Sequence, residues 1–136
     1  MDKNIFIVED DANLSSGLAA QFSMAGFKVE TSHNEEEIED LVGSIKKFNT
    51  DVIVIDLILP KLDGFEIIKA IRSDDELSDL YIFVFTDVSD EDSKARGLKL
   101  GANQYFIRQD FSVPEFADKV KRILENKEAI RPSDEF

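Results

Sequence analysis

The chain has 136 residues, enough for one domain around a single core, and a net charge of −13 with a pI near 4.4 argues against nucleic acid or an anionic membrane as its direct partner. It suits a cation or a basic patch on a protein instead. There are no cysteines, which excludes disulfides, thiolate catalysis and cysteine-based zinc sites and fits the cytosol.

Eleven phenylalanines and no tryptophan predict a Phe-rich core. No apolar run approaches the ~18 residues of a membrane span, and no signal peptide is visible. Asn4 to Val8 is apolar on both faces and reads as a central strand. It ends in Glu9-Asp10-Asp11, three acids that are costly to cluster without a counter-ion. Either one caps the next helix while the others are solvated, or they build a hard-cation site from carboxylate oxygens.

A helix is predicted over 13–25, with Leu14, Leu18, Phe22 and Ala25 on one face and Gly26 as a left-handed cap. Phe27 to Thr31 alternates apolar and polar and reads as an edge strand. His33, the only histidine, is expected to be a solvated loop residue. A second helix is predicted over 34–47, capped by Asn34, with Glu35, Glu36 and Glu37 at its positive end. Its apolar stripe is Ile38, Leu41, Val42 and Ile45.

The stretch DVIVIDLILPKLDG (51–64) organises the rest. Val52 to Ile55 is a strand buried inside a parallel sheet, and it stops at Asp56. A carboxylate at the C-terminal end of such a strand lies where open α/β sheets place their ligands. Pro60 and Asp63-Gly64 are turn formers, and Asp63 caps a helix predicted over 65–72 with Phe65, Ile68 and Ile71 inward. Residues 73–79 form an acidic exposed loop.

Tyr81 to Phe85 is another buried strand, ending in Thr86. Ser89 is the expected cap of a fourth helix, with Asp92 as its partner. That helix is poorly apolar, with Ala95 and Leu98 as inward candidates, and Gly101 ends it. A short strand, QYFI, precedes Arg108. Ser112-Val113-Pro114-Glu115 is a capping box opening a fifth helix, with Phe116, Val120, Ile123 and Leu124 inward. Residues 127–136 read as a polar C-terminal tail.

Five strands alternating with five helices predict an α/β fold, a doubly wound five-stranded parallel sheet with right-handed crossovers. The strand ends bring Glu9, Asp10, Asp56, Thr86 and Arg108 to one sheet edge: acids for a divalent cation, one carboxylate free to react, and a hydroxyl and a cation for an anion. The anion that best suits this set is a phosphoryl group.

The motifs IVEDD (7–11), IDLILPKLDG (55–64), VFT (84–86) and GANQYFIR (101–108) jointly resemble the receiver domain of two-component response regulators, over about residues 4–125. The resemblance implies a flavodoxin-like fold with strand order 2-1-3-4-5 and a receiver domain over 1–126. It implies that Asp56 accepts a phosphoryl group from a histidine kinase or histidine phosphotransfer protein. By position, Glu9, Asp10, Asp56 and the carbonyl of Ile58 hold Mg²⁺ or Mn²⁺. Thr86 is the hydroxyl that moves to the phosphate, and Tyr105 is the aromatic that rotates with it. The output face is helix four, strand five and helix five, through which a downstream protein binds. The chain is then a cytoplasmic phospho-acceptor rather than an enzyme, monomeric or weakly dimeric, without direct nucleic-acid binding.

Several residues depart from the family pattern. Arg108-Gln109 stands where Lys-Pro is usual, which predicts a trans peptide and a reshaped loop. Asp87 replaces a small residue and either hinders phosphate entry or points outward. Ile58 and Val88 are apolar where they flank the path of a hydrolytic water, so they either shield the phosphate or pack on neighbouring loops. The alternatives are a pseudo-receiver that binds partners without phosphorylation, favoured by Arg108 and Asp87, and a phosphohydrolase of the haloacid dehalogenase type. The latter wants a second Asp where Ile58 stands.

Overall fold

The computed structural model describes residues 2–33 and 35–129. Its elements are β1 (Asn4–Val8), α1 (Ala12–Met24), β2 (Lys28–Thr31), α2 (Ile38–Lys47), β3 (Val52–Ile55), α3 (Gly64–Ser73), β4 (Tyr81–Thr86), α4 (Glu91–Leu100), β5 (Gln104–Ile107) and α5 (Val113–Ala129). All four strand pairs are parallel, in the order β2-β1-β3-β4-β5. This is the expected doubly wound, flavodoxin-like sheet.

Alternation along the strands sorts the core into two layers. Phe6, Val8, Ile53, Ile55, Ile82 and Val84 face Leu41 and Ile45 of α2 and Phe65, Ile67, Ile68 and Ile71 of α3. Ile5, Ile7, Val52, Val54, Phe83 and Phe85 face Leu18 and Phe22 of α1 and Phe116, Val120 and Leu124 of α5. The second layer holds most of the aromatic packing. Phe85 stacks on Phe116 with ring centroids 3.9 Å apart, and Phe22 and Phe106 meet the Phe116 ring edge-on. The three central strands are buried on both faces, whereas β2 is a half-exposed edge, as its alternation predicts.

Local chemistry sets the element ends. Gly26 has φ +100 and follows α1. Asp63 Oδ1 accepts from Phe65 N at 2.9 Å and starts α3. Ser112 and Glu115 exchange the two bonds of a capping box, Glu115 N to Ser112 Oγ and Ser112 N to Glu115 Oε1. Gly101, φ +128, ends α4.

Two helix starts and one helix phase differ from expectation. α2 begins at Ile38 rather than near residue 34, because the acids before it are engaged elsewhere: Glu35 accepts from His33 N and Glu36 pairs with Lys61. The expected cap, Asn34, lies outside the described residues. Asp90, not Ser89, caps α4, its Oδ2 accepting from Ser93 N at 3.0 Å. Serine and aspartate satisfy a helix N-terminus about equally well, but a carboxylate also complements its dipole.

Ala95 and Leu98 are exposed rather than inward. The buried residue of α4 is Gly97, where an added Cβ would sit 3.4 Å from the Tyr105 ring. A glycine at the contact lets the helix lie against that ring, so the helix is phased by Tyr105 and not by its own apolar residues. His33 is exposed as expected, with its Nε2 3.3 Å from Glu30 Oε1. α5 runs on to Ala129, and the rest of the expected tail lies outside the described residues.

Candidate functional site

The sheet register assembles the site. Val8 pairs with Ile55, and Asp56 N donates to Val8 O, so Glu9 and Asp56 leave neighbouring strand ends together. β4 continues two residues past the partner of Ile55, to Thr86, and Thr86 pairs with Ile107 directly before Arg108. Glu9, Asp10 and Asp56 each present a carboxylate oxygen within 4.8 Å of the others. Asp11 turns away from this cluster: its Oδ1 accepts from Leu14 N and caps α1, while its backbone N–H donates to Glu9 Oε2. One acid therefore caps the helix and two join Asp56, so both readings of the triplet hold in part.

Asp56 is 6% exposed and Thr86 is fully buried. The Thr86 hydroxyl donates to Asp56 Oδ1 at 2.7 Å, and Ile58 N donates to the same oxygen at 3.3 Å. Burial nonetheless pushes the Asp56 carboxyl above its usual range, against these bonds and the nearby Arg108 charge. Burial also raises Glu9 to about 7; the Asp11 amide and Arg108 oppose this, and the Asp56 charge and the Asp10 carboxyl add to it. Arg108 Nη1 lies 3.7 Å from Glu9 Oε1, 3.7 Å from Asp56 Oδ2 and 3.5 Å from Asp87 Oδ2. One guanidinium thus faces a carboxylate excess that a hard dication, bound through oxygen ligands, would neutralise. The donor set fits Mg²⁺ or Mn²⁺.

A hydrogen-bond chain leads out of the site. Thr86 Oγ1 accepts from Val88 N at 3.3 Å, and the Tyr105 hydroxyl donates to Val88 O at 2.6 Å. The Tyr105 ring is buried, and burial, with the charges of Asp90 and Asp56, raises its hydroxyl to about 12. Ile58 and Val88 part company: Ile58 is 66% exposed at the mouth, whereas Val88 is half-buried against the core. The Arg108–Gln109 peptide is trans, and residues 108–110 wind into a single 3₁₀ turn.

The expectations treated Gly64 only as a turn residue. A Cβ there would sit 2.5 Å from Leu57 Cα and 2.7 Å from Asp56 O. The start of α3 is thus packed on the backbone that carries Asp56, and the absence of a side chain permits it. The signal in the sequence is the Asp63-Gly64 pair, seven and eight residues after Asp56, which specifies a turn but not a close approach.

The chain matches the family model of the response regulator receiver domain over residues 5–121, and it belongs to that family. It is 35% identical over 139 aligned residues to the alkaline phosphatase synthesis transcriptional regulatory protein PhoP of Bacillus subtilis (strain 168), covering 100% of this chain and 54% of that protein. It is 30% identical over 122 residues to the phosphate regulon transcriptional regulatory protein PhoB of Pseudomonas aeruginosa, covering 90% of this chain and 52% of that one. The chain spans about half the length of the curated relatives it matches.

Among solved structures, the BeF3-activated DrrB receiver domain superposes with a TM-score of 0.75 at 28% identity, over 92% of this chain and 99% of that one. The chemotaxis response regulator CheY4 of Vibrio cholerae superposes with a TM-score of 0.78 at 22% identity, over 90% and 99%, a likeness of fold. The chain is a response regulator receiver, a signalling domain of two-component systems. The phosphohydrolase reading falls with this membership.

Proposed function

We propose that Asp56 accepts a phosphoryl group from the phosphohistidine of a sensor kinase or histidine phosphotransfer protein. One observation carries the reading: a buried carboxylate, held by the Thr86 hydroxyl, stands within 4.8 Å of two further acids and 3.7 Å from Arg108. A carboxylate oxygen of Asp56 attacks phosphorus in line, the bond to the imidazole nitrogen breaks, and the imidazole leaves with the electron pair, kept neutral by the proton on its other ring nitrogen. Mg²⁺ or Mn²⁺, held by Glu9, Asp10, Asp56 and the Ile58 carbonyl, would offset the repulsion between attacker and phosphoryl oxygens. The chain's own part is positioning: the Ile58 amide and the Thr86 hydroxyl orient the carboxylate, and Arg108 meets phosphoryl oxygens. This intact set supports phospho-acceptance over the pseudo-receiver alternative.

The signal then leaves along Thr86, Val88 and Tyr105. A phosphoryl group competing for the Thr86 hydroxyl disturbs the Val88 peptide, and with it the partner of Tyr105, whose ring packs on Gly97 of α4. The face of α4, β5 and α5 is the output surface for a downstream protein. Moving a two-state element from minor to dominant needs several kcal/mol of differential binding, within reach of phosphoryl contacts to a cation, Thr86 and Arg108. Residues 1–126 form the receiver unit, α5 carries on to Ala129 into the polar segment 127–136, and the unit acts in the cytoplasm as a monomer or weak dimer. Among the described residues no helix is long and apolar enough to cross a membrane.

The test is intact mass after treatment with acetyl phosphate and Mg²⁺, followed by hydrogen exchange. One phosphoryl group should add, only with the metal present and not to Asp56→Asn, and exchange should change over residues 86–112. Metal-independent labelling, or labelling of Asp56→Asn, would overturn the proposal.

A further inference from the structure

Asp87 stands at the mouth of the acceptor site, directly after Thr86. Because Thr86 pairs with Ile107 and both end their strands, the residues that follow them, Asp87 and Arg108, leave adjacent strand ends side by side, with Arg108 Nη1 3.5 Å from Asp87 Oδ2. Three carboxylates converge on one guanidinium nitrogen, Arg108 Nη1: those of Glu9 and Asp56 from inside and that of Asp87 from outside. The inner two are nearly sealed from solvent, whereas the Asp87 side chain is 64% exposed. Arg108 is therefore shared between the site and its mouth.

We propose that Asp87, 3.5 Å from Arg108 Nη1, is a positioning residue that draws this guanidinium toward the mouth and selects against free, strongly anionic phosphodonors. The partner it favours is a protein donor carrying a lysine or arginine beside its phosphohistidine. The inference rests on phospho-acceptance at Asp56. An incoming phosphoryl group presents anionic oxygens to Arg108, where a carboxylate already competes for the same nitrogen. A small anion meets that competition and the Asp87 charge unaided. A donor protein's cation pairs with Asp87 and releases Arg108 inward. With acetyl phosphate the balance is simple: the phosphorus–oxygen bond to acetate breaks as the bond to Asp56 forms, and acetate leaves with the electron pair. Because Asp87 is exposed, its repulsion is screened by salt, which a purely structural role would not show.

The experiment compares initial phosphorylation rates with acetyl phosphate and with the less negatively charged phosphoramidate. It uses saturating Mg²⁺ and a range of ionic strengths, with wild type, Asp87→Asn, Asp87→Ala and Asp87→Glu, and intact mass as the readout. Asp87→Asn and Asp87→Ala should raise the acetyl phosphate rate roughly two- to fivefold at low salt and the phosphoramidate rate less. Both gains should shrink as salt rises, and Asp87→Glu should restore wild-type selectivity. An unchanged ratio between the two donors, or an equal loss with both, would overturn the proposal. Asp56→Asn in parallel separates the two ideas: labelling of that variant refutes the acceptor assignment, not the role of Asp87. If no variant takes phosphate, beryllofluoride titration followed by amide shifts decides. Tighter binding to Asp87→Asn than to wild type supports the proposal, and equal binding refutes it.

Discussion

Replacing Arg72 by methionine should destabilise the domain by about 2–4 kcal/mol. The guanidinium sits at the end of α3 and ties that helix to the two chain segments entering β4 and β5. Its Nε and Nη2 donate to Gly101 O at 3.0 and 2.7 Å, Nη1 donates to Leu80 O at 2.6 Å and Ser78 O at 2.9 Å, and Nη2 donates to Asn103 Oδ1 at 2.8 Å. Methionine keeps the apolar stem and removes every donor. The Leu80 and Gly101 carbonyls are partly buried, and each acceptor left without a partner costs about 1–3 kcal/mol. Ser78 O and Asn103 Oδ1 are more exposed and turn to water; Asn103 Oδ1 also keeps the Ile82 amide at 2.7 Å. Burial disfavours the charged guanidinium, so its removal returns part of the loss, which sets the upper bound. At about 3–4 °C per kcal/mol for a domain of this size, Tm should fall by about 6–16 °C. Urea unfolding should show a lower midpoint at unchanged slope, with faster exchange at the Ile82 and Asn103 amides. A loss below about 1 kcal/mol would refute the clasp, because the stranded carbonyls would then be reaching water.

Three further outcomes are expected. Gly64→Ala forces a Cβ against the Leu57 and Asp56 backbone, so stability should drop by about 1–3 kcal/mol and phosphorylation slow at least about tenfold; normal rate and midpoint together would rule out the close approach as a constraint. With a chelator present, Glu9 held near 7 against an ordinary 4.5 binds its proton more tightly in the fold. The metal-free domain should therefore lose stability relative to Glu9→Gln as pH rises from 4.5 to 7, by about 3 kcal/mol at most, and Mg²⁺ should reverse the trend; a flat difference profile contradicts this. Ile58→Asn should shorten the lifetime of phosphorylated Asp56, since an amide orients a water that isoleucine excludes, and it should do so without Val88→Glu because Val88 packs inward; equal decay rates would end the shield idea.

What could be read from the sequence was what depends on short-range pattern. Val52 to Ile55 is apolar throughout because it is buried on both faces, and the residue that ends such a run in a parallel sheet lies at the ligand edge, so the pattern alone places Asp56 there. The capping box at Ser112 and the glycine caps at Gly26 and Gly101 are likewise local. What failed depends on distant partners. Glu36 is drawn to Lys61, 25 residues away, so the run of acids before α2 does not open the helix. α4 takes its phase from Tyr105, which the helix's own weak stripe could not disclose. The triple contact of Arg108 needs three strand ends in register, and the sequence named its members without showing that one nitrogen serves all of them.

The acceptor assignment is tested most directly by trapping the acyl phosphate. After phosphorylation with acetyl phosphate and Mg²⁺, borohydride reduction converts the modified aspartate to homoserine, and peptide mass spectrometry locates it. Homoserine should appear at position 56 and be absent from Asp56→Asn. Homoserine at Asp10, Asp11 or Asp87 with Asp56 intact would contradict the assignment.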